Sequence, residues 1–82
     1  MLIHVKMITK VHPRGWRLQL DMPEGTTAGE LMDHLLQTDE LRPYGADLFF
    51  GHVCMQNGLV IPRAKALSDG DNITIKKLMS GG

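Results

Sequence analysis

One segment of the chain has the apolar spacing of a helix, and the segments on both sides of it have the apolar spacing of strands. Between residues 26 and 37, apolar side chains recur three or four residues apart, which predicts a short amphipathic helix of about three turns. The apolar stripe consists of Ala28, Leu31, Met32, Leu35 and Leu36. Thr26 or Thr27 is expected to cap this helix, because Glu30 follows Thr27 at the spacing of a capping box.

Two strands are predicted before the helix, because apolar and polar side chains alternate there with the period of a half-buried strand. The expected inward faces are Ile3, Val5 and Met7 in the first strand and Trp16, Leu18 and Leu20 in the second. Pro13 and Gly15 stand between the two stretches, and both are common turn residues. The pattern therefore predicts an antiparallel hairpin with its turn at these residues.

Strands are also predicted after the helix. Asn57-Gly58, a strong hairpin signal, separates the apolar stretches "HVCMQ" and "LVIP". A turn at "LSDGD" precedes a final strand that we expect to direct Ile73 and Ile75 inward. The predicted order is β-β-α-β-β-β, an α+β roll in which a mixed sheet packs on one main helix.

The segment from Asp39 to Gly51 has no clear period. It mixes turn residues with large apolar ones, so we predict an irregular loop. Leu48, Phe49 and Phe50 are expected to pack under the core from this loop.

Composition excludes several classes of function. Nine basic residues balance nine acidic ones, so bulk attraction to nucleic acid or to a membrane surface is not expected. The apolar stretches are far shorter than the roughly 20 residues of a membrane span. The first residues lack the pattern of a signal peptide, and Cys54 is the one cysteine, so no internal disulfide is expected. We therefore expect a single cytoplasmic domain.

Side chains with catalytic or metal-binding chemistry are few and poorly spaced. The four histidines, His4, His12, His34 and His52, do not have the spacing of metal ligands, so no metal site is predicted. Cys54 has no neighbouring base in the sequence, which favours a buried packing thiol over a nucleophile. Gly-rich phosphate-binding loops are absent from the sequence, so no permanently bound cofactor is predicted.

Charge is distributed unevenly along the chain. Residues 1–20 contain basic residues and no acidic ones, residues 21–47 are mainly acidic, and residues 63–77 carry further basic residues. Two interpretations of this pattern remain open: ordinary solvated faces, or a basic partner-binding surface.

The sequence closes on Gly81-Gly82, shortly after the last predicted strand. Glycine has no Cβ, so a glycine backbone can enter a cleft too narrow for other residues. A terminal carboxylate is ionised at neutral pH and can attack the α-phosphate of ATP if a partner enzyme binds both. The alternative is a disordered terminus without a role.

Three motifs, taken in order, resemble one known family. Asn57 to Pro62, "NGLVIP", resembles the hairpin between its third and fourth strands. "LSDGDNITI" resembles its last turn and strand, and the spacing from there to Gly81-Gly82 also fits. The chain thus resembles the MoaD/ThiS family of ubiquitin-like sulfur carrier proteins. The resemblance implies a β-grasp domain over residues 1–78 and a flexible tail over residues 79–82.

The resemblance also implies a mechanism in which the chain is a carrier and its partners are the enzymes. An E1-like enzyme would use Mg-ATP to adenylate the Gly82 carboxylate, which would then become a thiocarboxylate. An acceptor, the molybdopterin synthase large subunit or thiazole synthase, would receive the sulfur for molybdopterin or for the thiazole of thiamine. The alternative is a ubiquitin-like interaction or protein-conjugation module.

The same resemblance assigns roles near the terminus. Gly82 would carry the chemistry, and Gly81 would let the tail pass through the partner's tunnel. The residues expected to contact partners are Lys76, Lys77, Leu78, Met79 and Ser80. The stretch from Lys76 to Met79 departs from the family, in which an aromatic or proline-rich approach to the glycines is common.

Overall fold

The computed structural model describes residues 1–78 of the chain. Its strands are β1 (Leu2–Thr9), β2 (His12–Asp21), β3 (His52–Gln56), β4 (Leu59–Ile61) and β5 (Asn72–Lys77), and its main helix is α1 (Ala28–Leu36). Two short 3-10 helices, Arg42–Tyr44 and Ala46–Phe49, lie between α1 and β3. The predicted order therefore holds for the strands and the main helix. The predicted tail, residues 79–82, lies outside the described residues.

The strands form one mixed sheet in the order β2-β1-β5-β3-β4. β1 and β5 are parallel neighbours at its centre, and the other neighbouring strands are antiparallel. One apolar cluster joins the inner face of the sheet to α1. The predicted α+β architecture, a mixed sheet packed on one main helix, is confirmed.

The inner face of the sheet is formed by the residues predicted to point inward from the alternation of apolar and polar side chains. Ile3, Val5 and Met7 of β1 are buried, as are Ile73 and Ile75 of β5. The other buried apolar side chains come from α1 and the connections, and include Leu31, Leu35, Leu41 and Leu48. In β2, an edge strand, the inward side chains are only half-buried because no further strand covers them.

The "SDGD" turn ties the start of β5 to the start of β1. Leu2 N–H donates to the Asp69 carboxylate at 2.6 Å, and Gly70 N–H donates to the Leu2 carbonyl at 2.7 Å. Gly70 has a φ of +85°, a conformation that glycine adopts without steric cost. This turn sets the register of the central parallel pair, which extends from the pairing of His4 with Asn72.

The first hairpin turns earlier than the sequence predicted. β1 ends at Thr9 and β2 begins at His12, so Pro13 and Gly15 lie inside β2 and the predicted turn position is wrong. An edge strand tolerates proline because its outer backbone groups are unpaired. Gly15 has a φ of +92°, next to the shift in register between β1 and β2. Both residues therefore serve an irregular edge strand.

Two predictions about later connections have different outcomes. Asn57 and Gly58 both have positive φ, at 54° and 78°, which confirms the predicted tight hairpin. Leu48 and Phe49 are buried as predicted, but Phe50 is 85% exposed, so its predicted place under the core is wrong. The short 3-10 helix ends at Phe49, and the chain then turns Phe50 away from the core.

Helix α1 begins with the predicted capping box. The Thr27 hydroxyl accepts from Glu30 N–H at 3.2 Å, and the Glu30 carboxylate accepts from Thr27 N–H at 3.0 Å. Gly29, in the first turn, donates its N–H to the Arg63 carbonyl at 2.8 Å. A Cβ on Gly29 would lie 3.2 Å from that carbonyl oxygen. This glycine therefore allows the segment after β4 to approach α1 closely.

We predict that Thr27→Ala lowers the free energy of unfolding by about 1 kcal/mol, because it leaves the Glu30 N–H without its acceptor. Urea denaturation followed by circular dichroism measures the change. Thr27→Ser, which keeps the hydroxyl, should stay close to the original protein. An alanine variant as stable as the original would show that the cap contributes little.

Candidate functional site

The predicted partner contacts that the structure describes lie at the end of β5. Lys76 pairs with Ile8 of β1 and Val53 of β3, and Lys77 lies opposite His52. Both lysines are exposed. Met79, Ser80, Gly81 and Gly82 lie outside the described residues, so their predicted roles stay predictions.

Leu78 has a fixed backbone and an accessible side chain. Its N–H donates to the Gly51 carbonyl at 3.1 Å, beyond the last paired residue of β5. Its side chain is 58% exposed. The hydrogen bond fixes the position from which residues 79–82 continue, while the leucine remains available for a contact.

An open groove of about 810 Å³ lies beside this end of the sheet. Apolar side chains line it from three separate parts of the chain: Ile8, Pro13, Leu48 and Phe50. The lysines Lys10, Lys76 and Lys77 also line the groove. Phe50 was not among the predicted partner contacts, because the apolar pattern around it predicted a core position.

The outer face of the sheet, turned away from α1, carries a row of basic side chains. Lys6 lies directly opposite Arg17, since β1 and β2 pair at these residues. Lys76 is on the same face, where it pairs with Ile8, two residues farther along β1. The N-terminal basic stretch and the C-terminal one therefore meet on one surface, which we call the basic face: Lys6, Arg17 and Lys76.

A shallow polar groove of about 580 Å³ crosses this surface. Beside Lys6 and Arg17 it is lined by the polar side chains of His4, Gln19, Asn72 and Thr74. It is open to solvent along its length, so it suits contact with another surface more than enclosure of a small ligand.

Cys54 is buried beneath the helix, as the sequence indicated. Its thiol lies 3.9 Å from the Ala28 carbonyl, and the residue is only 3% exposed. Burial raises the pKa of the Cys54 thiol to about 11, and the nearby positive charge of Arg63 opposes that rise in part. A thiol in this environment is a poor nucleophile at neutral pH.

Residues 1–78 contain neither a candidate metal cluster nor a helix suited to a membrane. No cluster of three or more His, Cys, Asp or Glu side chains there has an arrangement able to hold a metal ion. No helix in that range is long and apolar enough to cross a membrane.

Comparison with protein families gives one match, to the family described as the ThiS family, over residues 8–82. The match begins inside β1 and extends through all the later elements to Gly82. The chain belongs to the ThiS family. No curated protein sequence matches this ThiS-family chain.

Solved structures similar to this ThiS-family chain show its fold. Small archaeal modifier protein 1 from Haloferax volcanii has 16% identity and a TM-score of 0.73, with 95% of this chain and 98% of that one covered. A chain from the complex of subunits 1 and 2 of molybdopterin-converting factor from Helicobacter pylori has 18% identity and a TM-score of 0.65. Both chains are covered completely in that comparison.

A ubiquitin from Caldiarchaeum subterraneum has 17% identity and a TM-score of 0.58, again with both chains completely covered. At these identities the similarity establishes fold alone. The ThiS-family chain therefore has the ubiquitin-like β-grasp fold that its motifs implied.

We predict that Cys54 reacts slowly with thiol reagents in the folded protein. With a pKa of about 11 instead of 9.0, the thiolate fraction at pH 8 falls from about a tenth to about a thousandth. Stopped-flow labelling at pH 8 should show a slow phase that denaturant accelerates. Rapid labelling of folded protein would contradict the buried position.

The same pKa shift predicts a dependence of stability on pH. Between pH 9 and about 11, unfolded protein has lost the thiol proton that folded protein retains, so the free energy of unfolding falls as pH rises. Cys54→Ala removes this contribution and should have a shallower slope in alkaline urea denaturation. Equal slopes for the two proteins would contradict the shift.

Proposed function

We propose that this protein is a sulfur carrier whose Gly82 carboxylate is adenylated and then converted to a thiocarboxylate. The observation that carries the proposal is the ThiS-family match over residues 8–82, which includes both terminal glycines. The end of β5 supports it, because Leu78 is fixed by its backbone while its side chain and two lysines remain exposed.

The proposed reaction requires only a carboxylate from this chain. One Gly82 oxygen would attack the α-phosphorus of ATP, the bond from that phosphorus to the bridging oxygen would break, and pyrophosphate would leave. The partner enzyme would supply the Mg²⁺ ion that stabilises the phosphate charges. A sulfur nucleophile then attacks the acyl carbon and AMP leaves. Sulfide gives the thiocarboxylate directly, whereas a persulfide gives an acyl disulfide that a thiol reduces to the same product.

The geometry of the tail limits where this reaction takes place. Residues 79–82 span at most about 14 Å when fully extended. The carboxylate of Gly82 therefore reaches a partner's active site only if the partner contacts the domain near Leu78. Gly81 has no side chain and allows a narrow approach. Met79 and Ser80 would contact the walls of that approach, and Lys76 and Lys77 the surface around it.

Two kinds of partner follow from this function. One is an E1-like adenylating enzyme, and the other is an acceptor that takes the sulfur. Subunits 1 and 2 of molybdopterin-converting factor from Helicobacter pylori form a protein complex, and one chain of that complex has this fold. We propose that this chain likewise delivers sulfur to an acceptor enzyme, in the synthesis of molybdopterin or of the thiazole of thiamine.

A second candidate function is protein conjugation. Small archaeal modifier protein 1, a modifier by its name, is similar over nearly the whole of both chains. In conjugation, a lysine amine of another protein would attack the same acyl-adenylate, form an amide bond with Gly82 and release AMP. Both functions therefore share the adenylation step and differ in the nucleophile.

We predict that the protein, incubated with the E1-like enzyme of its source organism, Mg-ATP and a sulfur donor, gains the mass of an oxygen-to-sulfur exchange at Gly82. Intact-protein and fragment mass spectrometry measure the gain and its position. Omitting ATP should abolish it. Unmodified protein, in an assay in which another ThiS-family carrier is modified, would refute the sulfur-carrier proposal.

Substitution at Gly81 tests the narrow approach. Gly81→Leu should reduce adenylation at least about tenfold because its side chain obstructs the cleft, while the denaturation midpoint stays unchanged. Gly81→Ala adds a smaller side chain at the same position and should lose less adenylation activity. If the midpoint fell together with adenylation, the tail would have a structural role instead.

A lysine-rich acceptor protein distinguishes the two candidate functions. Added to the adenylation assay without a sulfur donor, it should remain unmodified if the chain is a carrier alone. An amide-linked adduct between Gly82 and an acceptor lysine would favour conjugation.

A further inference from the structure

The basic face contains a pair of like charges that does not favour folding. Lys6 and Arg17 are directly opposite across β1 and β2, where side chains on one face are close neighbours. Like charges in this position destabilise a sheet. Folding alone gives no reason for this pair, so we ask what it could bind.

Lys6 also extends toward the end of the sheet from which the tail continues. A Cβ placed on Gly15 would lie 2.8 Å from Lys6 Cε, so the lysine side chain passes directly over that glycine. Gly15 is nearer to the hairpin turn than Arg17 is, on the side where Ile8 pairs with Lys76. The three cationic groups therefore face one region of the outer surface.

Asp47 lines the groove that Lys76 also lines, but no ion pair within residues 1–78 joins the two side chains. The ion pairs there join Asp21 to the N-terminal amine, Asp39 to Arg42, and Asp33 to Arg63. None of these pairs includes a member of the basic face. Its positive charge is therefore available to an external anionic group.

The short tail determines which partner meets this surface. Lys76 is two residues before Leu78 in the chain. Thr74, which pairs with Lys6 across β1 and β5, is two residues farther back, about 13 Å from Leu78 along the strand. A partner whose active site lies within about 14 Å of Leu78 therefore has its surface close to both Lys76 and Lys6. The enzyme that adenylates Gly82 must meet this condition.

The rest of the outer face favours a protein occupant over nucleic acid. By register, Val53 and Met55 of β3 and Val60 of β4 lie on the same face as Lys76. An apolar area beside a charged one is the usual composition of a protein interface. Phe50 and Tyr44, both exposed aromatic side chains, belong to the connection after α1 and not to the sheet strands, so they do not form a row of stacking surfaces along the strands of this face.

We propose that the basic face, Lys6, Arg17 and Lys76, docks on an acidic surface of the enzyme that adenylates Gly82. This inference rests on the proposed function and adds the recognition surface of the adenylating partner. Opposite charges increase the rate of encounter and orient the carrier so that its tail points into the active site. The apolar side chains of β3 and β4 complete the interface.

The test uses a substitution with opposite effects on folding and on docking. Arg17→Glu replaces a repulsive cross-strand pair with an attractive one, so its urea denaturation midpoint should rise. Its association rate with the E1-like enzyme of the source organism should fall at least about tenfold at low salt, measured by stopped-flow fluorescence. Adenylation at low carrier concentration should fall with it. A loss caused by misfolding would lower the midpoint instead.

Two further variants serve as comparison and control. Lys76→Glu makes the same charge change at the other end of the basic face and should also slow association. Lys65→Glu is the control, because Lys65 contacts Gln56 and lies outside the basic face, beside the start of α1. Raising the salt concentration should lower the association rates of the original protein and of Lys65→Glu. The association rate of Arg17→Glu should stay nearly unchanged.

The outcomes separate this inference from the proposed function. Normal adenylation of the original protein with equal association rates for all variants would overturn the docking surface and leave the carrier function intact. Absence of adenylation in the original protein would overturn both. If Lys65→Glu slowed association as much as Arg17→Glu does, the effect would come from net charge alone. That result would also overturn the docking surface.

Discussion

The parallel pairing of β1 with β5 is the interaction on which the rest of the structure depends. It brings the beginning and the end of the described chain to the centre of one sheet, and the hydrogen bonds of Leu2 to Asp69 and Gly70 set its register. β2 joins the sheet through β1, and β3 joins it through β5. The position of Leu78, and therefore the point from which the tail continues, follows from this register.

The sequence predicted the elements well where burial alone determines the pattern. Ile3, Val5 and Met7 alternate because β1 is covered on one face along its whole length, and α1 has a distinct period for the same reason. The errors fall where one signal has two physical meanings. Pro13 suits a turn or an edge strand, and Gly15 suits a turn or a bulge. Local sequence does not choose between them, because the choice depends on which strand lies at the edge.

The candidate site was predictable in part for a related reason. The terminal glycines and the "SDGD" turn are contiguous motifs, so their resemblance to the family was visible in the sequence. The groove beside β5 combines Ile8, Leu48 and Phe50 from distant segments, and periodicity carries no information about such a combination. Phe50 shows this limit clearly, because an apolar residue after two buried ones has the composition of a core residue. Its 85% exposure results from the end of a 3-10 helix.

The basic face connects the fold to the proposed function. Lys76 lies close to the start of the tail, and the structure places this lysine on the same face as Lys6 and Arg17. Strand pairing, and not proximity in sequence, joins these positions, so a change in any one of them alters the same surface. Like charges directly opposite each other, such as those of Lys6 and Arg17, lower the stability of a sheet. A small domain can retain that cost if the same charges select its partner, because like-charged competitors are repelled as acidic ones are attracted.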